Sequence, residues 1–243
     1  MKLLAFDTST EAMSVAVQHG SGDAARVWRH AGAGGAQASA SLIPCIQDLL
    51  AQAGLRLEEL DAIAFGAGPG SFTGLRTACS VAQGLALGGS ARRAAAGLAG
   101  AVPLLPVSTL LAIAEEARHL SGATRVLVAL DARMDEVYCA PFEHDGQAWR
   151  QGAADRLLAP SQLLLPEGFS LAGNAHSVYA ALLRLPAGTQ PIAALPQASA
   201  LLRLAPGLLA AGHAVPADQA MPRYIRDKVA KTTAERAAEK AAS

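Results

Sequence analysis

Four glycines and a proline crowd into Gly66-Ala-Gly-Pro-Gly-Ser-Phe-Thr-Gly-Leu-Arg76, directly after the apolar run Asp61 to Phe65 and at the start of a helical run from Phe72 to Leu87. Strand, tight glycine turn and helix is the repeating unit of an α/β lobe. Ser71 is placed to cap the helix by accepting a hydrogen bond from its first amides. Amides that converge on a helix N-terminus favour an anion, so Gly66, Gly68, Gly70 and Gly74 with Ser71 and Thr73 describe a cradle for phosphate or carboxylate. The same glycines equally describe a place where helix and sheet approach closely. Both readings stay open. The loop is neither a P-loop, since no Gly-Lys-Ser/Thr follows, nor the dinucleotide fingerprint GxGxxG.

A hairpin precedes this unit: Lys2 to Phe6 is apolar and ends in Asp7-Thr8-Ser9-Thr10, and Met13, Val15 and Val17 then alternate with smaller or polar residues. A third strand is expected around Ala25 to Arg29, a glycine-rich loop from Gly32 to Gly35, and a helix starting near Ser39 or Ser41 and stopping at Gly54, with Pro44 in its first turn or kinking it. Val102 to Val107 reads as a strand, and Ser108 caps a helix to about His119. The plan then restarts. Val126 to Leu130 ends in Asp131, a polar turn Ala132-Arg-Met-Asp135 follows, and Val137 to Phe142 returns. This echo of the first hairpin hints at two duplicated lobes, 1–106 and 107–225. Beyond Phe142, prolines punctuate two expected helices, near Asn174 to Leu185 and Gln197 to Ala211. From 226 to 243 the composition turns to Lys, Arg, Glu and Ala, as in an exposed tail.

The bulk numbers exclude several classes. A chain of 243 residues with 51% hydrophobic and 16% charged residues can bury a sizeable core. Twenty basic and twenty acidic side chains cancel, so no general field draws in a polyanion, and another chain is expected to supply most phosphate contacts if RNA is involved. Cys45, Cys79 and Cys139 are widely spaced, form no CxxC and suit a reducing cytoplasm. Ala94 to Ala114 is uncharged for about the length of a membrane span, but Pro103 and Pro106 break it.

Few residues offer chemistry by themselves. Asp7 and Asp131 end their strands where a carboxylate can hold magnesium through water, or can form an Asx-turn with its own backbone. The six histidines show no HxxxH or HExxH, and no GxSxG elbow or cysteine nucleophile signature is present. Two classes of function therefore compete: a binding subunit, and an ATP-dependent small-molecule kinase with Asp7 and Asp131 around magnesium and the glycine loop on phosphate. A peptidase has no metal pair or nucleophile to start from.

Six blocks together resemble the bacterial TsaB family, also called YeaZ, over essentially the whole chain. They are Leu4-Ala-Phe-Asp-Thr-Ser-Thr-Glu-Ala12, Gly66 to Arg76, Ala82-Gln-Gly-Leu-Ala-Leu-Gly88, Pro106-Val-Ser-Thr-Leu110, Ala129-Leu-Asp-Ala-Arg-Met-Asp-Glu-Val-Tyr138 and Pro222-Arg-Tyr-Ile-Arg226. The resemblance implies an α/β fold of two duplicated lobes, the actin-like, sugar-kinase and chaperone ATPase fold with mixed sheets flanked by helices. It implies a cytoplasmic, non-catalytic scaffold in making N6-threonylcarbamoyladenosine beside the anticodon of tRNAs that read codons beginning with A. A TsaD-type catalytic subunit and a TsaE-type ATPase are the implied partners, tRNA is met mainly through the complex, and a homodimer forms when the chain is alone. The catalytic relative carries Asn-His-x-x-x-His where this chain has Val107-Ser-Thr-Leu-Leu-Ala-Ile113, which puts Thr109 and Ile113 at the ligand positions; neither replaces imidazole at a transition metal.

The resemblance further implies that the first two helices, about Ser39 to Ala53 and Phe72 to Leu87, pack on TsaD as a four-helix bundle. The partner-binding candidates are then Leu42, Ile46 and Leu49 on the first helix, and Ser71, Phe72, Thr73, Leu75, Arg76, Cys79 and Gln83 on the loop and second helix. Asp7, Thr8, Gly68, Gly70 and Asp131 are the candidates for an anion or nucleotide. No metal or cofactor is expected on the chain alone, with ATP or ADP placed at a subunit interface if anywhere. The chain departs from the family in having Ala36-Gln-Ala-Ser39 where many members place a histidine ahead of the first helix.

Overall fold

The computed structural model describes residues 1–226. Its first half runs β1 (Lys2–Asp7), β2 (Ala12–His19), β3 (Arg26–Ala33), α1 (Gly35–Gln52), β4 (Ala62–Gly68), α2 (Phe72–Ala95), β5 (Leu104–Ser108) and α3 (Thr109–Ser121). The five strands form one sheet in the order β3-β2-β1-β4-β5, antiparallel within the two hairpins and parallel from β1 to β4 and β4 to β5. Both faces of β1 are buried, which is why its run is continuously apolar. Leu4 and Phe6 face the core under α1 and α2, whereas Leu3 and Ala5 face the opposite layer.

The second half runs β6 (Arg125–Arg133), β7 (Glu136–His144), β8 (Trp149–Gln151), β9 (Arg156–Leu158), β10 (Ser170–Gly173), α4 (Ala175–Val178), β11 (Ile192–Ala193) and α5 (Ala198–Ala210). Its sheet has the order β8-β7-β6-β10-β11, with β9 added to β7. Read from the edge, it is antiparallel, antiparallel, parallel, parallel, the same plan as the first sheet. The echo between the two Asp-turns thus extends to two whole mixed sheets.

The closing helix of each half lies between the sheets and serves the other one. α3 follows β5 but fills the core of the second sheet with Leu110, Ile113, Ala114 and Ala117 beside Val126, Val128 and Leu130. α5 follows β11 but covers the first sheet, where Ala198, Leu201, Leu202 and Ala205 meet Leu3, Ala5, Ala16 and Ala64. The two helices are joined through Glu115 of α3, which accepts hydrogen bonds from Arg118, from Arg203 of α5 and from Trp149 of β8.

Several element bounds differ from expectation. α1 begins at Gly35, not at Ser39 or Ser41, because Gly34 caps it by backbone contact: its amide donates to the Glu11 carbonyl at 2.8 Å, and a Cβ there would stand 2.5 Å from the Thr10 carbonyl oxygen. Pro44 consequently lies mid-helix, on the exposed face, where water can take the carbonyl its ring leaves unpaired. Gly32 belongs to β3 rather than to a loop, and α2 continues eight residues past Leu87. The helix expected near Asn174 to Leu185 is a single turn. The uncharged stretch 94–114 is divided among the end of α2, an irregular connection, β5 and part of α3, and among the described residues no helix is long and apolar enough to cross a membrane. The expected tail from 227 onward lies outside the described residues. Cys45, Cys79 and Cys139 are free thiols.

Candidate functional site

The glycine loop is built around the first Asp-turn. A Cβ on Gly66 would sit 1.8 Å from Asp7 Oδ2, one on Gly74 would sit 1.8 Å from the Thr8 carbonyl oxygen, and one on Gly70 would sit 2.5 Å from that of Ser9. Hydrogen bonds seal the approach: the Thr8 hydroxyl donates to the Gly74 carbonyl and the Ser71 amide donates to the Ser9 carbonyl, both at 2.7 Å. Ser71 caps α2 as expected, its hydroxyl accepting from the Gly74 amide. Close packing is therefore what these three glycines accomplish. Gly68, at φ +111°, is pressed from the other side by the Arg223 carbonyl, 2.6 Å from where its Cβ would be.

Both aspartates hold their own turns. Asp7 Oδ1 accepts from the Ser9 amide at 2.8 Å and the Ser9 hydroxyl at 2.6 Å, while Oδ2 faces Gly66 without a hydrogen-bond partner. Asp131 Oδ1 accepts from the Arg133 amide and from the Tyr179 hydroxyl, both at 2.7 Å. Burial, together with that Asp131 bond, pushes the Tyr179 hydroxyl up to about 12. Complete burial raises Asp7 from 3.8 to about 6, against the lowering effect of its Ser9 bonds. A raised folded value means the neutral acid is preferred by the fold. Its contribution is full below the unfolded value and is lost as pH rises through about 6. Asp7→Asn is expected to stabilise the chain by about 1–2 kcal/mol near neutral pH, part of the gain being offset by a buried amide donor, and to give no gain at about pH 4. Urea midpoints of both forms at the two pH values check this; equal midpoints near neutrality would refute the assignment.

Between the two Asp-turns lies a cleft of about 430 Å³. Its walls are the Ser9–Glu11 turn, the loop from Pro69 through Thr73, the end of β6 from Leu130 to Met134, Asn174, and the segment from Arg223 to Arg226. Arg133 pairs with Glu11 across it. The 223–226 segment straps the halves together. The Arg223 amide donates to the Ala67 carbonyl, the Tyr224 ring lies 5.4 Å from that of Phe72, and Arg226 pairs with Glu136. Arg76 completes the cluster, with its guanidinium 3.9 Å over the Phe72 ring and its Nε donating to the Tyr224 hydroxyl. Of the anion candidates, Gly70 and Asp131 line the cleft; Asp7, Thr8 and Gly68 stand behind its wall. Among the described residues no three His, Cys, Asp or Glu side chains converge as metal ligands.

The partner-binding candidates divide by accessibility. Phe72, Thr73 and Arg76 are exposed and Ser71 is half-buried. Leu42, Ile46, Leu49, Leu75 and Cys79 lie in the core of the chain's own fold. The helical period singles out the stripe that faces the chain's own sheet, so it marks the core first. Gln83 is also turned inward, its amide donating to the Ala217 and Ala220 carbonyls. The outer faces of α1 and α2 instead carry Ile43, Ser80, Gly84 and Leu87, with Ile43 43% and Leu87 63% exposed. Neither face has an apolar period of its own, so only the packed arrangement reveals them.

Two mixed α/β halves of one plan, meeting at a cleft under two Asp-turns, place the molecule in the actin-like ATPase class of folds. Residues 35–241 match the family described as TsaD: tRNA N6-adenosine threonylcarbamoyltransferase. The tRNA threonylcarbamoyladenosine biosynthesis protein TsaB of Escherichia coli is 35% identical over 95% of this chain and 96% of its own length, and the protein of that name from Haemophilus influenzae is 33% identical over 94% and 95%. The solved structure of YeaZ from Pseudomonas aeruginosa superposes with a TM-score of 0.79 at 36% identity, covering 92% of this chain and 99% of that one. The chain belongs to the TsaB (YeaZ) family.

Proposed function

We propose that this chain is the non-catalytic scaffold and activator of an assembly that transfers threonylcarbamoyl from its adenylate to N6 of the adenosine beside the anticodon. The observation that carries the reading is the pair of neighbouring helices α1 and α2, whose outward faces hold Ile43, Ser80, Gly84 and Leu87 with nothing packed on them among the described residues. Small and apolar side chains on adjacent helices suit close packing against two helices of another subunit. A TsaD-type catalytic subunit is the partner in this reading, and a second copy of the chain takes the same face when that subunit is missing. Phe72, Thr73 and Arg76 lie at the end of this surface next to the cleft.

Two further features support a non-catalytic role. Thr109 and Ile113, at the positions where the catalytic relative has histidines, are fully buried. Asp7, the carboxylate a kinase would turn toward magnesium, is directed at Gly66 and not into the cleft. The reading keeps lobes of 1–106 and 107–225, a TsaE-type ATPase as third member, nucleotide at a subunit interface, and a cytoplasmic setting.

Reconstitution of transfer from purified subunits tests it. Omission of this chain is expected to abolish modification of tRNA, the chain alone is expected to be inactive, and the chain should co-elute with the TsaD-type subunit. Undiminished transfer without it would refute the proposal.

A further inference from the structure

The outer edge of the first sheet carries two exposed arginines on one strand. Among the described residues β3 pairs with β2 on one side and with no strand on the other, so alternate amides and carbonyls point outward along its eight residues. Arg26, Val27, Arg29 and His30 are exposed on it, and His19 is exposed opposite Arg26 on β2. Elsewhere the arginines commonly stand against carboxylates, as Arg118 and Arg203 do on Glu115 and as Arg133 does on Glu11. Neither Arg26 nor Arg29 has a carboxylate partner among the described residues. In a chain whose formal charges cancel, this edge sets two arginines without a carboxylate partner among the described residues close together.

One of the two arginines is also held in place. The Arg26 guanidinium lies 5.3 Å from the centroid of the Trp28 ring, and Trp28 is itself half-buried against the core under α1. A cation shelved on an aromatic face has less conformational freedom to lose when it meets an anion. Its planar fork can still donate two parallel hydrogen bonds to a phosphate. Arg26 and Arg29 point to opposite faces of the sheet three residues apart, about 10 Å along the strand, so the edge offers a ridge with a cation on each flank. A ridge of this kind suits a flexible line of anions better than one bound ion.

We propose that this edge, β3 with Arg26, Trp28 and Arg29, contacts the sugar–phosphate backbone of the tRNA substrate directly, away from the α1–α2 face. The proposal rests on the functional reading above, since the assembly is what brings tRNA to the chain. RNA is favoured over an acidic protein surface because the two arginines are spread along an edge and not gathered in a pocket, and because phosphate contacts need no shape beyond a run of cations. Charge on an edge strand also discourages strand addition, so the decisive readout is one that this protective role would leave unmoved.

The experiment measures tRNA affinity of the complex of this chain with its TsaD-type subunit, by fluorescence anisotropy at several salt concentrations. R26E/R29E is expected to lower the slope of log K against log salt by about two and to weaken binding roughly tenfold at moderate salt. R26K/R29K, which keeps both charges, should stay within about twofold, and R184E, an exposed arginine of the other half, should change nothing beyond that. Melting temperatures and co-elution of every variant are recorded alongside. An unchanged slope in a folded, co-eluting R26E/R29E complex overturns the proposal and leaves the functional reading intact. Reversal that loosens the TsaD-type subunit itself makes the edge a protein contact and also overturns it. If the unsubstituted chain neither co-elutes nor affects transfer, the functional reading fails and this proposal with it.

Discussion

Replacing Gly74 by alanine is expected to destabilise the chain by at least about 3 kcal/mol, at the upper end for one added methyl group. The added Cβ would stand 1.8 Å from the Thr8 carbonyl oxygen. That oxygen is backbone, in a fully buried residue whose hydroxyl is tied back to the Gly74 carbonyl, so neither side can withdraw by a rotamer change. Relief requires α2 to move off the first Asp-turn, which would break the Ser71 to Ser9 backbone bond as well. Gly84, ten residues along the same helix, is the informative companion. Nothing lies within 4 Å of its would-be Cβ. There alanine should stabilise by up to about 1 kcal/mol, since glycine in a helix interior carries that entropic penalty. Urea denaturation of both variants decides the matter. Similar midpoints for the two would show that contact with Thr8 is not what requires Gly74.

The second large effect is expected at Glu115. Its carboxylate is almost fully buried and accepts from Arg118, Trp149 and Arg203, while Arg203 also reaches Glu116 at 2.6 Å. Glu115→Ala would leave two guanidinium groups and an indole N–H short of their acceptor at the junction of α3, α5 and β8. A loss of about 3–5 kcal/mol is expected, as for other buried pairs broken on one side, and is a large share of a typical domain's 5–15 kcal/mol. Burial pushes the carboxyl up, but the bonds from Arg118, Trp149 and Arg203 outweigh it, and the net value is lowered from 4.5. A lowered folded value contributes stability above the unfolded value that is lost as pH falls through the folded one. Acid should therefore narrow the gap between wild type and Glu115→Gln. A gap that widens below pH 4.5 would contradict the direction of the shift.

How much of this was legible in the sequence depends on whether the information is local. The first hairpin, the strand–loop–helix unit and the Ser71 and Ser108 caps follow from alternation, turn chemistry and capping, and the structure has each of them. The start of α1 is not legible locally, because its cap is the bare backbone of Gly34 against Thr10 and Glu11, twenty-odd residues away in sequence. The glycine loop left two readings open because only the folded turn at Asp7 to Ser9 shows what occupies the missing side chains' space. Leu42, Ile46, Leu49, Leu75 and Cys79 sit on stripes whose inward direction shows only in the fold, because periodicity cannot tell an inward stripe from an outward one. The strap at Arg223 to Arg226 was visible only as a family block, and nothing in it announces Phe72 and Glu136 as its partners.

The exchange of closing helices has a consequence for how the chain is made. Synthesis delivers the first sheet and its α1–α2 layer early, yet Leu3, Ala5, Ala62, Ala64 and Leu105 on the opposite face gain most of their cover from α5, at residues 198–210. The edge pairing of Leu104 with Val215, the Gln83 bonds to Ala217 and Ala220 and the strap arrive later still. Domains generally fold as units in the order they are translated. Here the first sheet must wait, with one apolar layer partly bare, until α5 has been made, so the halves mature together and a nascent chain stopped between them has no finished domain to offer.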